Sequence, residues 1–129
     1  MVKTRVNQAF FRTMILASYN NTCCITGLQN NELLVAGHIK PWSIDEKNRL
    51  NPRNGLAMNA LHDKAFESGL LTITPEYKVK ISPLLKQQKK NPAVRDYFLR
   101  YDRQDIHAPW RFMPDAEFLR YHNQERFKN

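Results

Sequence analysis

Apolar positions recur at helical spacing near the start of the chain. Val6, Phe10, Met14 and Ala17 fall on one face, Phe11 and Ile15 lie beside it, and residues 4–19 contain neither Gly nor Pro. The spacing predicts an amphipathic first helix with Arg5, Gln8 and Arg12 on its other faces. The run Thr22-Cys23-Cys24-Ile25-Thr26, closed by Gly27 and a polar stretch, reads as a short strand and turn. Leu33-Leu34-Val35-Ala36 has strand length and ends in Gly37-His38-Ile39 before Pro41. Residues 43–54 are polar and form a loop, and Gly55-Leu56-Ala57-Met58 is a second short strand.

Residues 59–68 then change to helical character, with Asn59 as the cap and Gly69 as the stop. Leu70–Thr74 and Lys78–Ser82 flank Pro75-Glu76 and predict a hairpin, since Val79 and Ile81 alternate with polar residues. Helices follow near 83–90, 92–101 and 115–127, with Pro92 and Pro114 at helix starts. The centre therefore reads strand, loop, strand, helix. His38 sits at the end of the first strand, Asn54 where the loop enters the second, and His62 one turn into the helix.

Charge narrows the functional classes. Twenty basic against 12 acidic residues give a formal charge of +8, which favours a polyanionic partner, nucleic acid before an acidic membrane surface. The first residues lack the apolar run of a signal peptide, and no stretch reaches the ~20 apolar residues of a membrane helix. The two cysteines, Cys23 and Cys24, are adjacent and poorly placed to bridge each other. A cytoplasmic protein without membrane contact is expected. At 129 residues the chain has the length of one domain.

Phosphodiester hydrolysis needs a deprotonated water, neutralised phosphoryl oxygens and a stabilised leaving oxygen. A histidine suits the first task and a divalent ion the other two. A strand–strand–helix unit can hold a base and a metal ligand on opposite sides of one phosphate.

Three stretches carry His, Asn and His in that order: Ala36-Gly37-His38-Ile39-Lys40-Pro41-Trp42, Asn51-Pro52-Arg53-Asn54-Gly55-Leu56 and Leu61-His62-Asp63-Lys64-Ala65-Phe66-Glu67-Ser68-Gly69-Leu70. In these words and their spacing the chain resembles the HNH nucleases, or ββα-metal nucleases, in particular the restriction-type subgroup. Arg5–Arg12, Cys24-Ile25-Thr26-Gly27 and Pro114–Leu119 extend the likeness over nearly the whole chain.

The resemblance implies an α+β fold: a ββα-metal (His-Me finger) core at about 32–70, an N-terminal helix, an extra β-hairpin and C-terminal helices, in a single domain spanning 1–129. It implies an endonuclease that cuts DNA, double-stranded by preference, in a restriction or phage-defence setting. An RNA-cutting enzyme and an inactive nucleic-acid-binding module of the same fold are the alternatives. His38 is then the general base, Asn54 the holder of the loop and of His38, and His62 a ligand of one divalent metal ion. Many relatives carry an acidic residue or histidine before the first histidine as a further ligand, and here that position is Gly37. Glu67 is the favoured replacement, Asp63 is taken as a solvated helix charge, and Asp45 is a third candidate. Such coordination suits Mg²⁺ or Mn²⁺, with Zn²⁺ or Ni²⁺ as alternatives. Two adjacent cysteines do not make a four-ligand zinc site, so no structural zinc is expected and both read as small buried residues.

Lys40, Arg53 and Lys64 lie nearest this constellation and are expected phosphate contacts. The lysines at 78, 80, 86, 89 and 90 form either a solvated face or a phosphate track. Arg5 and Arg12 either bridge the first helix to the core or contact the nucleic-acid backbone. Trp42 and Trp110 read as loop anchors packed on the core, and His107 and His122 as structural or surface groups. A homodimer, or a recognition domain fused or separate, would supply target choice.

Overall fold

The structure is a computed structural model that describes residues 2–129, with side chains described from Asn7 onward. The side chains of Arg5 and Val6 lie outside the described residues. Helix α1 (Val2–Ser18) opens the chain. Its buried stripe runs Phe11, Ile15 and Leu16 and continues into Tyr19 just past its end, whereas Phe10 is 58% exposed and Ala17 is also exposed. The inward face is thus rotated by about one residue from the 10–14–17 stripe of the sequence reading. A helix with apolar side chains on adjacent flanks has two nearly equivalent inward faces, and packing chooses between them.

Strands β1 (Leu34–His38) and β2 (Gly55–Asn59) pair antiparallel, with His38 opposite Gly55 and Gly37 opposite Leu56. Helix α2 (Ala60–Glu67) follows β2 directly. It is capped by Asn59, whose side chain accepts the His62 N–H, and it stops at Gly69, in the left-handed region at φ +80°. This is the ββα unit that the sequence pattern predicts. Strands β3 (Leu71–Ile73) and β4 (Val79–Ile81) make the predicted hairpin. Helices α3 (Pro83–Lys86), α4 (Pro92–Tyr97) and α5 (Ala116–Glu125) complete an α+β fold.

Three local expectations are corrected. Residues 22–26 form a turn instead of a strand, because Cys23 Sγ accepts the Thr26 N–H and folds the backbone back. The helix expected over 92–101 ends at Tyr97, and a separate 3-10 turn covers Leu99–Tyr101. Pro114 precedes the cap of α5, which is Asp115, so it does not occupy the first helical position.

The core is built from α1, the β1–β2 sheet, α2 and the β3–β4 hairpin, with Phe11, Ile15, Leu56, Met58, Phe66, Leu71 and Ile81 inside it. Arg12 ties α1 to this core by donating to the carbonyls of Leu34 and Asn31 at 2.6 and 2.8 Å, which decides for the bridging role. Gly55 has no room for a side chain, since a Cβ there would collide with Ile15 and Phe11. The start of β2 is therefore pressed against α1, and His38, its cross-strand partner, sits under the same helix.

Candidate active site

His38 is partly buried at the end of β1. Its ring lies flat on Phe11, with centroids 3.9 Å apart and planes at 7°, and Trp42 meets it edge-on at 5.4 Å. Trp42 is accordingly a loop anchor, as expected, with the Arg49 guanidinium 5.2 Å from its ring. His38 Nε2 is 2.7 Å from the Arg49 carbonyl. A carbonyl only accepts, so Nε2 carries the proton and Nδ1 keeps its lone pair. Burial lowers the His38 pKa, and the Arg49 carbonyl opposes this by favouring the protonated ring. The neutral form prevails at pH 7.

Asn54 is fully buried and holds the loop around His38. Its Oδ1 accepts the Lys40 N–H at 2.8 Å, and its Nδ2 donates to the carbonyls of Lys40 and Asn48 at 3.1 and 3.2 Å. One amide thereby joins the exit of β1 to the residue preceding Arg49, the acceptor of the His38 proton. Burying an amide is costly unless its bonds are made, and here three are.

His38 lines a cleft of about 350 Å³ together with Gly37, Asp63, Glu67, His122 and Arg126. The Asp63 carboxylate stands above Gly37, where a Cβ would collide with its Oδ1. The space that a side chain at position 37 would fill is thus filled by a carboxylate from α2. Burial raises the Asp63 pKa, the charge of Glu67 raises it further, and Lys64 opposes both. A half-buried Asp63 facing the charge of Glu67 is a donor set that a divalent cation would relieve. Among the described residues no cluster of three or more His, Cys, Asp or Glu forms, so the protein's own donors here are these two carboxylates. That set fits Mg²⁺, which binds through one or two carboxylates and completes its shell with water and phosphate. It does not fit the nitrogen and sulfur preference of Zn²⁺.

The fold does not bring His62 to this cleft. His62 is 2% exposed and contributes to a different hollow, beside Thr26, Leu28, Tyr97 and Tyr101. Its Nε2–H donates to the Tyr97 carbonyl at 2.6 Å, and Nδ1 accepts from Asn59 Nδ2 at 2.8 Å. Both ring nitrogens are used. Burial lowers its pKa. Successive helical residues point about 100° apart, so a helix that buries His62 turns Asp63, with Glu67 four residues on, toward His38. Asp63 is therefore a cleft residue, not a solvated helix charge.

The remaining candidates are dispersed. Asp45 pairs with Lys40 Nζ at 3.4 Å, accepts from Asn48 and lies outside the cleft lining. Lys40 also sits 5.2 Å from the Tyr121 ring. Arg53 and Lys64 are exposed at either side of the ββα unit. His122 is buried and structural: Nε2–H donates to the Phe66 carbonyl, Nδ1 accepts from Thr72, and the ring stacks on Phe66 at 3.6 Å. His107 is exposed. Arg126 had no sequence signal. It follows the last helix, and only the packing of α5 on β3 returns it to the cleft, where its guanidinium donates to the Glu67 carbonyl at 3.3 Å. No helix among the described residues is long and apolar enough to cross a membrane.

No curated protein matches the chain closely enough to count as a relative. A family model described as HNH endonuclease (HNH_2) matches residues 23–74. The matched stretch contains β1, the His38 loop, β2, α2 and β3, which together form most of the cleft. Over this segment the chain is similar to the HNH endonucleases, a family of nucleases.

Proposed function

We propose that the chain is a metal-dependent DNA endonuclease in which His38 is the general base and Asp63 and Glu67 hold one divalent ion, Mg²⁺ or Mn²⁺. The observation that carries this reading is the position of His38, with Nε2 2.7 Å from the Arg49 carbonyl. Its Nε2–H is committed to the Arg49 carbonyl, which leaves Nδ1 as the basic atom in a cleft shared with two carboxylates.

In this reading Nδ1 of His38 takes the proton of the attacking water, for roughly 10²–10⁴-fold in rate. Positive charge then builds on the ring, and the Arg49 carbonyl stabilises it through Nε2–H. Phe11 and Trp42 fix the ring plane, and Asn54 acts as a positioning residue through Lys40 and Asn48. Arg126 faces the phosphoryl oxygens from the far wall. A cation between Asp63 and Glu67 would act as a Lewis acid on the phosphate and on the leaving oxygen. Gly37 carries no ligand of its own, and Asp63 takes that duty from α2. His62 has a structural part, joining α2 to α4. Lys40, Arg53 and Lys64 make phosphate contacts around the cleft. We take residues 1–129 as one nuclease domain. Restriction or phage defence is its setting, with recognition supplied by another domain or a second copy.

Nicking of supercoiled plasmid tests this. Cleavage with Mg²⁺ or Mn²⁺ should vanish with chelator and in His38→Ala, and Asp63→Asn and Glu67→Gln should each demand more metal. Undiminished cleavage by His38→Ala would refute the assignment of the base. Duplex binding without cleavage under any divalent ion would leave only a binding module, and cleavage confined to RNA would change the substrate.

A further inference from the structure

Outside the cleft, the residues after Pro109 form an exposed stack of alternating cations and rings. The Arg111 guanidinium lies 5.0 Å from the Trp110 ring and 4.6 Å from the Phe112 ring. Arg53 approaches Phe112 at 5.8 Å, giving the order Trp110, Arg111, Phe112, Arg53. Trp110 is 62% exposed, which corrects its reading as an anchor packed on the core. The segment is nevertheless held firmly. Trp110 N–H donates to the Ser18 carbonyl at 3.0 Å and its Nε1–H to the Ala17 carbonyl at 2.9 Å, both at the end of α1. The Arg53 carbonyl accepts from Asp115 N–H, and the Arg53 guanidinium donates to the Met113 carbonyl. Phe112 adopts φ +61°, a conformation that bulky L-residues rarely take and that persists only where its surroundings enforce it.

Neither Arg53 nor Arg111 pairs with a carboxylate among the described residues. Three lysines of the 78–90 stretch are engaged instead: Lys78 pairs with Asp105, Lys86 pairs with Asp102 and Lys80 lies over Phe127. A guanidinium over a ring can keep its N–H edge for bidentate phosphate contact: Arg111 makes no hydrogen bond or ion pair among the described residues, while Arg53 spends one N–H on Met113 and keeps the rest. Arg53 stands two positions before Gly55, the cross-strand partner of His38, so the stack begins at the end of the sheet that carries the base.

We propose that the Trp110–Arg111–Phe112–Arg53 stack grips the phosphate backbone of duplex DNA beside the cleavage site. This rests on the nuclease reading for its substrate but makes a separate claim about binding, so its test uses the full chain in chelator, where no cleavage occurs. Binding to a short mixed-sequence duplex is measured against salt. Arg111→Gln should weaken binding and lower the log–log salt slope by about 0.9, the loss of one phosphate contact. Arg111→Lys keeps the charge and loses the planar fork, so the slope should stay while affinity falls. An unchanged slope and affinity in Arg111→Gln, with an unaltered melting temperature, would overturn the proposal, and wild-type affinity in Arg111→Lys would remove the stacked fork from it. A Trp110→Ala variant that loses single-stranded binding while Arg111→Gln keeps its duplex slope would likewise overturn it, by making the stack a base-stacking platform. A wild-type chain with the predicted slope that never nicks plasmid would instead sink the nuclease reading and leave the stack intact.

Discussion

His62 and Asp63 are neighbours in the chain, yet they line different hollows on two flanks of α2. On one flank His62 has both ring nitrogens bonded, to Asn59 and Tyr97, and neither is free for a ligand. On the other, the carboxylates of Asp63 and Glu67 share a half-buried cleft with His38 and Arg126. The first flank is saturated and therefore structural. The second holds Asp63 half-buried beside the charge of Glu67, and burial raises its pKa, which is the feature that supports the proposed cation site. The residue types alone suggest the reverse, because imidazole is the more familiar metal ligand.

Substitutions can separate the flanks. His38→Ala should give the largest effect, a loss of roughly 10²–10⁴ in cleavage with binding retained, read by single-turnover nicking. Acid should next loosen the structure through its buried histidines. The His122 pKa falls to about 4 through burial, against 6.5 for the free ring. The unfolded chain then binds the proton first, so stability is full above pH 6.5 and is lost as pH falls toward 4, by up to about 3 kcal/mol. Denaturant midpoints across that window check the sign; a flat profile would contradict it. His62→Ala comes next, at ~1–3 kcal/mol for the unpaired groups it leaves, seen as a lower melting temperature. The folded fraction should still cut. Abolished cleavage at undiminished stability would return His62 to the site. Asp63→Asn should give the smallest effect, raising the Mg²⁺ midpoint for cleavage by about tenfold, or ~1.4 kcal/mol, with melting little changed.

Much of this arrangement is legible in the sequence, and what is not has a physical reason. Strand ends, the Asn59 cap and the Gly69 stop are local signals, and they place β1, β2 and α2 to within a residue. Asn54 reads as a loop holder only through the resemblance to the HNH nucleases, since its own sequence signal is a turn; its buried amide bonds Lys40 and Asn48. The inward face of α2 is not legible. Spacing gives the interval between His38 and His62 but not the rotation of the helix, which depends on what α4 and β3 place against it. Arg126 and the exposed Trp110 are invisible for a related reason. Both depend on contacts across long stretches of chain, with Glu67 and with Ala17 respectively.

Cys23 and Cys24 are free thiols with no exposed surface. Cys23 Sγ accepts N–H groups from Thr26 and from Asn59, so it joins the turn before β1 to the start of α2. Burial also raises the Cys24 pKa, which keeps its reactive thiolate scarce while the fold is intact. A thiol-labelling reagent can therefore modify these sulfurs only when the β2–α2 junction opens. Under native conditions the labelling rate becomes a clock for that opening, and the protein carries its own probe of how often the two flanks of α2 come apart.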